Sequence, residues 1–249
     1  MTRALRILGI LAVLTLVATL LGIGSASAGE DTTDPMTGAP AVGSCYDLTL
    51  KQASRFASPE GTVDCTRRHT LVVSALGALP ASLDWATIDQ DQFPKALSRA
   101  IVQTCDPAAD KILGSNLATR YLSLYSTWFF APTKAQVADG ARWFTCAIGL
   151  SDSARMLPLS NGRPSRITKP VSKDVARCVN SRYDYVACSR THSWRATSAF
   201  IVEKKLTKRT ERAAGRRCAR QVATPGSLVS VRSQGKREFV AACYTKTRH

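Results

Sequence analysis

A six-residue pattern occurs twice in this chain: cysteine, a hydroxyl residue, arginine, any residue, histidine and a second hydroxyl residue. The first copy runs from Cys65 to Thr70 and the second from Cys188 to Ser193. Each copy follows a short strand-like run and precedes another. Because a fixed pattern seen twice is typical of a duplicated structural unit, we expect the chain to contain two units built to one plan.

The first 28 residues predict a secretory signal peptide. A basic start at Arg3 and Arg6 precedes a nearly continuous apolar stretch, Ile7 to Ile23, and Ala26-Ser27-Ala28 fits the small-residue cleavage rule. An uncleaved anchor helix is the alternative, since this stretch is close to the shortest that can span a membrane. Either interpretation places the rest of the chain outside the cytoplasm, secreted or associated with the cell envelope.

The eight cysteines all lie downstream of residue 44. Outside the cytoplasm, an even number of cysteines predicts a disulfide framework. The duplication assigns four to each unit, in the opening strands, the helix and the last strand. We therefore expect bridges that join the opening strands of each unit and bridges that tie each helix to its last strand: Cys45–Cys65, Cys105–Cys146, Cys178–Cys188 and Cys218–Cys243.

The order of the predicted elements favours an α+β fold of two tandem disulfide-stapled units, each a small, mostly antiparallel sheet with one main helix. The predicted parts are a signal peptide (1–28), a flexible leader (29–42), a first unit (43–150), a linker (151–170) and a basic second unit (171–249). In the first unit a helix would begin near Pro94, and Asp106-Pro107 would begin a second, short helix. In the second unit the helix would cover Leu206 to Val222, with Cys218 facing the core.

The positive charge is concentrated in the second unit. Residues 29–170 contain 14 Lys and Arg against 13 Asp and Glu, a net of +1, whereas residues 171–249 contain 18 against 5, a net of +13. On the predicted helix the face opposite Cys218 carries a candidate anion-binding set: Lys205, Lys208, Arg209, Arg212, Arg216 and Arg220. This face predicts binding to an anionic cell-wall polymer or membrane surface, with no physiological nucleic acid outside the cytoplasm. A solvated face that serves only solubility is the alternative.

The polar residues common to both motif copies are Arg67, His69, Arg190 and His192. Cys-x-x-x-His is half of a zinc site, but each unit offers one histidine and its sulfurs are expected to be oxidised, so we expect no metal and no cofactor. No Gly-x-Ser-x-Gly motif occurs, and no acidic residue is fixed beside both histidines. These observations favour structural histidines over general bases, and therefore a protein that is not an enzyme.

Several segments together resemble the septum-formation domain of actinobacterial envelope proteins: Gly43-Ser44-Cys45-Tyr46-Asp47, Val63-Asp64-Cys65 through His69, Cys105, and Arg142-Trp143-Phe144-Thr145-Cys146. Residues 178–244 are similar to it as a degenerate second copy. The resemblance implies a part in septum formation or cell division and no particular chemistry. We expect a secreted or envelope-associated binding or structural protein. The alternatives are a cell-wall hydrolase or other extracytoplasmic enzyme, and a direct partner of membrane division proteins.

Overall fold

The structure is a computed structural model that describes residues 34–83, 94–159, 162–222, 228–234 and 237–247. Within these ranges the helices are α1 (Leu50–Ala53), α2 (Lys95–Leu113), α3 (Leu117–Arg120), α4 (Lys134–Ala138) and α5 (Lys208–Gln221). The strands are β1 (Cys45–Tyr46), β2 (Leu71–Ala78), β3 (Tyr125–Phe130), β4 (Trp143–Ser151), β5 (Met156–Leu157), β6 (Arg177–Val179), β7 (Tyr185–Ala187), β8 (Trp194–Val202), β9 (Leu228–Ser233) and β10 (Phe239–Lys246). The predicted signal peptide lies outside the described residues. No helix in the described ranges has the length and apolar character needed to cross a membrane.

The strands form two antiparallel sheets that follow the same plan. The first has the order β1-β2-β4-β3, with β5 added to β4, and the second has the order β7-β6-β8-β10-β9. Cys45 also forms an isolated bridge to Val63, which takes the place that β7 has in the second sheet. In each unit the main helix, α2 or α5, follows the first long strand of its sheet, β2 or β8. The predicted α+β fold with two disulfide-stapled units is therefore confirmed.

The two sheets share their register as well as their strand order. Cys45 in β1 pairs with Val72 in β2, and Cys178 in β6 pairs with Arg195 in β8. Both partners lie seven residues after the motif cysteine of their unit, counted from Cys65 or from Cys188. In both units, therefore, the residue seven positions after the motif cysteine pairs with the other cysteine of the same disulfide.

A β-bulge repeats at the same place in both long strands. Ser74 in β2 and Thr197 in β8 are left out of their ladders, and each lies nine residues after its motif cysteine. The Ser74 hydroxyl donates to the carbonyl oxygen of Cys146 at 3.1 Å, and the Thr197 hydroxyl donates to that of Cys243 at 3.5 Å. Because a bulge bends its strand, β2 bends beside Cys146 of β4, and β8 bends beside Cys243 of β10. These two cysteines are the ones bonded to the main helices.

The structure contains the four predicted disulfides, Cys45–Cys65, Cys105–Cys146, Cys178–Cys188 and Cys218–Cys243, and leaves no cysteine free. Their Cα–Cα distances lie between 5.1 and 5.4 Å, within the usual range. The second bridge ties α2 to β4 and the fourth ties α5 to β10. Each helix is thus bonded covalently to a central strand of its own sheet.

The two sheets meet in one hydrophobic core. Its buried members from the first unit include Leu113, Leu124, Ile148 and Leu150, and those from the second include Val179, Val240, Ala242 and Tyr244. Each helix in addition packs on its own sheet in a smaller cluster, around Cys105 in the first unit and Cys218 in the second. The units are therefore alike in plan but not independent in packing.

The segments predicted as leader and linker are joined to the sheets. In the described part of the leader, Pro35 accepts a hydrogen bond from the backbone of Arg142, and Thr37 accepts one from the Trp143 indole at 2.9 Å. In the linker, β5 pairs with β4, while Leu159 and Ile167 are buried in the common core. The described residues of the range 151–170 thus pack against the two sheets, and the division of the chain into leader, units and linker stays a prediction.

The predicted helix break at Asp106-Pro107 is wrong, because α2 is continuous from Lys95 to Leu113 with Pro107 inside it. Proline removes one helical hydrogen bond and costs roughly 3 kcal/mol in a helix interior. The residues on either side, Cys105 and Ala109, are buried, and Cys105 is bonded to β4. Tertiary packing and the disulfide therefore hold the helix together across the proline.

Candidate functional site

Each copy of the repeated motif closes a turn on its own backbone. His69 Nδ1 lies 2.8 Å from the carbonyl oxygen of Arg67, and His192 Nδ1 lies 2.7 Å from that of Arg190. Both rings are buried, with 2% and 8% of their surfaces exposed. A carbonyl oxygen accepts but cannot donate, so Nδ1 is the donor in this contact in both histidines. The two histidines thus occupy equivalent positions and make the same local contact.

The first motif also contacts the segment that connects the two units. The second ring nitrogen of His69 contacts the carbonyl oxygen of Gly162, and the carbonyl of His69 accepts a hydrogen bond from Leu159 at 3.0 Å. Both ring nitrogens therefore face backbone oxygens. A general base needs a free nitrogen directed at a substrate, so this geometry favours a structural role for His69.

The motif arginines, in contrast, are not equivalent in the structure. Arg190 pairs with Asp152 at 3.0 Å, and this carboxylate is only 2% exposed. In the first unit, the ion pair is made instead by the neighbouring Arg68, with Asp47 at 2.8 Å. Arg67 makes no ion pair within the described ranges. Arg67 and Arg190 therefore occupy the same position in the motif, but of the two only Arg190 forms an ion pair within the described ranges.

We expect Asp152→Ala to lower the free energy of unfolding by about 1–3 kcal/mol, because it removes a buried carboxylate that accepts several hydrogen bonds. Asp152 Oδ1 accepts the backbone N–H of Ala154 and of Arg155, both at 2.8 Å, in addition to the Arg190 pair. The matched control is Asp47→Ala, which removes a pair that is 30% and 63% exposed. Such exposed pairs contribute about 0–1 kcal/mol. Urea unfolding of both variants of the full chain measures the difference, and equal losses would contradict the role given to Asp152.

A possible metal-binding group lies at the second motif. The ligand atoms of Cys178, Cys188 and His192 all lie within 4.8 Å of one another. The two sulfurs form a disulfide with each other, however, and a metal binds the thiolate. In this oxidised form the group offers His192 as its one ligand, far short of the four that a tetrahedral site needs.

The predicted anion-binding face lies on α5, where Thr207 caps the helix and accepts a hydrogen bond from the N–H of Thr210. Ala214 and Cys218 are buried against the second sheet. The predicted cations are all exposed, and at 100° per residue the five that belong to the helix fall within an arc of about 120°: Lys205, which precedes the helix, and Lys208, Arg209, Arg212, Arg216 and Arg220. We call these six residues the basic face. Lys205 belongs to it although the helix begins only at Lys208.

The cations of the basic face have no acidic partners in the part of the chain that the structure describes. Every ion pair there involves other residues. Glu211, the acidic residue of α5, is exposed and forms no ion pair within the described ranges. Arg217, beside the basic face, is instead placed over the ring of Phe200 at 3.8 Å. The basic face therefore presents uncompensated positive charge to solvent.

Arg177 was not identified by the sequence reasoning, although it lies at the junction of the two units. Its backbone N–H donates to the carbonyl of Leu122 at 2.9 Å, and Ser123 and Ala176 form an isolated bridge beside it. Its side chain is only 8% exposed. The available signal was an arginine between two small, apolar-type residues, Ala176 and Cys178, of which Cys178 was placed in an opening strand.

The comparisons with known proteins agree with the resemblance noted in the sequence. The model of the family described as septum formation matches residues 42–227. Neither the curated proteins nor the solved structures include a match to this chain. The match covers both motif copies and both main helices as one span, so the division into two tandem copies of the family domain stays a prediction. Because the match covers well over half of the sequence, the chain belongs to the septum formation family.

Proposed function

We propose that the protein is a non-catalytic component of the cell envelope, with a role linked to septum formation, that binds phosphate-rich polymers of the wall or anionic lipid headgroups through the basic face. Membership of the family supports the link to septum formation. The four disulfides, together with the family, support an extracytoplasmic location. The observation that carries the proposal is the set of exposed, unpaired cations on one side of α5.

The strength expected of such a surface can be estimated from its charge. A basic residue held near an anionic surface contributes roughly 1 kcal/mol, so several acting together can retain a protein without a specific pocket. The field around the face is not cancelled nearby, because residues 171–249 carry a net charge of +13. Binding of this kind weakens steeply with salt, since the Debye length falls from about 10 Å at 0.1 M to about 3 Å at 1 M.

The non-catalytic part of the proposal is supported by the contacts of the two motif histidines. Nδ1 of each faces a backbone carbonyl, and the second nitrogen of His69 does so too. A wall hydrolase needs a carboxylate pair, or a nucleophile with a base and an orienting group. The contacts of His69 leave neither of its ring nitrogens free to act as a base, and this supports a non-catalytic role.

We expect the combined variant Arg209→Gln, Arg216→Gln and Arg220→Gln to bind anionic surfaces roughly a hundredfold more weakly, because three contributions of roughly 1 kcal/mol are removed. The three side chains are exposed and make no hydrogen bond within the described ranges, so the fold should be unaffected. Sedimentation with vesicles that contain an anionic phospholipid, and with a purified wall phosphate polymer, separates the two possible sources of phosphate.

The matched control neutralises three exposed cations of the other main helix, Lys95, Arg99 and Lys111, by the same substitutions. It changes the net charge equally but leaves the basic face intact. An equal loss in both variants would show that overall charge alone causes binding. Retention of the wild-type protein in molar salt would also contradict the proposal, because a screened basic face cannot supply it.

A further inference from the structure

A cleft lies at the junction of the two sheets, away from the basic face. Two cavities, of about 320 Å³ and about 150 Å³, share Tyr121, Ser126, Arg177 and Arg232 in their linings. The larger one falls in the size range of small-molecule sites. Residues from α3, β3 and β6 meet here with residues from β9, so the cleft exists only because the two units pack together.

The side chain at the centre of this cleft is Arg177, and its position is fixed. Its Nε donates to the carbonyl oxygen of Ser123 at 3.0 Å. Its Cζ lies 4.2 Å from the ring centre of Tyr121 and 5.2 Å from that of Tyr185. A guanidinium that is hydrogen-bonded and in contact with two aromatic rings has little freedom to rotate. The orientation of its two terminal nitrogens is therefore set before any ligand arrives.

Those two terminal nitrogens have no protein acceptor among the described residues. A guanidinium carries five N–H donors, and the bond from Nε to Ser123 uses one of them. No carboxylate pairs with Arg177 in the described ranges, although the residue is 8% exposed. Because buried charges are normally paired and hydrogen-bonded, a buried arginine with an unused pair of donors facing a cavity is typical of an anion site.

The charges around the cavity favour an anion further. Asp152 lines the larger cavity, but its carboxylate is already paired with Arg190 and Arg155. Asp106 lines the smaller cavity, together with Arg120. Arg232, on β9, is exposed, makes no ion pair within the described ranges and lines both cavities. Two arginines without acidic partners in the described ranges thus line both cavities, and Ser126 lines both as well.

We propose that this cleft binds a small ligand by an oxyanion group, a carboxylate or a phosphate, that accepts two hydrogen bonds from the terminal nitrogens of Arg177. Such a two-point contact matches the fork of the guanidinium. Arg232 adds a second positive charge at the mouth, and the tyrosines offer flat apolar surface to the body of the ligand. The site is separate from the basic face, and its failure would leave the function proposed for that face untouched.

The test titrates the full-length, isotopically labelled protein in NMR spectra with three probes: N-acetyl-dialanine with a free carboxylate, the same peptide as its amide, and glycerol 3-phosphate. We expect one or both anions to shift the amide signals of residues that line the cleft, and the neutral amide to shift none. A response to the carboxylate alone identifies a peptide-type ligand, a response to phosphate alone identifies a phosphate ester, and a response to both supports the shared oxyanion chemistry. No shift with either anion at millimolar concentration, or an equal shift with the amide, overturns the proposal.

Two variants test whether the arginines of the cleft bind the anionic probes. Arg177→Lys keeps the charge but loses the two-point contact, and it should weaken binding about tenfold or more, as loss of a hydrogen bond to a charged group does. Arg232→Gln should also weaken binding, and because Arg232 is exposed it decides the matter if Arg177→Lys does not fold. The matched control is Arg209→Gln on α5, which removes one exposed cation outside the cleft. A loss in this control equal to that of Arg232→Gln overturns the proposal, since general charge would then explain the binding.

Discussion

Loss of the Cys218–Cys243 bridge should destabilise the protein by about 2–5 kcal/mol, whereas His192→Ala should cost about 1 kcal/mol. The bridge spans 25 residues and ties α5 to the central strand β10. In the chain-entropy model, closing a loop of this length restricts the unfolded chain and contributes about 3 kcal/mol. Both sulfurs are fully buried in the cluster that joins helix and sheet, so their removal also loosens packing. His192, in contrast, loses a local contact to the carbonyl of Arg190.

The measurement is urea unfolding of the full chain without reductant. The double variant Cys218→Ala with Cys243→Ala is preferred to serine, because serine would bury a hydroxyl in an apolar cluster. The equivalent pair of the first unit, Cys105→Ala with Cys146→Ala, serves as the matched control and should lose a similar amount, since its bridge spans 41 residues. If His192→Ala destabilises as much as the double variant, the histidine has a larger part in the fold than its contacts indicate.

The repeat made much of the fold predictable from the sequence. Two copies of one motif reduce the ways in which eight cysteines can pair, because each cysteine must have a counterpart in the other unit. The spacing of apolar residues around Cys218 likewise predicted which side of α5 faces the core and, with it, the basic face. The motif and the apolar spacing can each be recognised within one short segment, because a helical period of 3.6 residues is visible in a single helix.

The connection between the units and the cleft at their junction could not be read in the same way. Leu159 and Ile167 are single apolar residues among prolines and arginines, and their burial depends on a core supplied by distant strands. Arg177 depends on Tyr121 and Ser123, more than fifty residues away in the sequence. Nothing in a local pattern specifies such contacts, because they arise only when both sheets are in place.

Residues 162–249 expressed alone should not fold into a stable domain, although they contain a complete sheet, a helix and two disulfides. In the full chain, Val240, Ala242 and Tyr244 are fully buried in the cluster that they share with Ile148 and Leu150. The isolated fragment would leave this side of its sheet exposed to water. A chain of about 90 residues buries only a small core, so the loss of the shared core should prevent stable folding.

The contacts across the junction also make the two units interdependent. The backbone N–H of Leu124 donates to the carbonyl of Val175 at 2.8 Å, and that of Arg177 donates to the carbonyl of Leu122 at 2.9 Å. Asp152 forms an ion pair with Arg190. We therefore expect one cooperative thermal transition for the full chain, with the same midpoint by far-UV and near-UV circular dichroism. The fragment should show no sharp near-UV signal and should bind a hydrophobic dye, as proteins without fixed packing do. A fragment that melts cooperatively near the midpoint of the full chain would contradict this, and would mean that each unit has a sufficient core of its own.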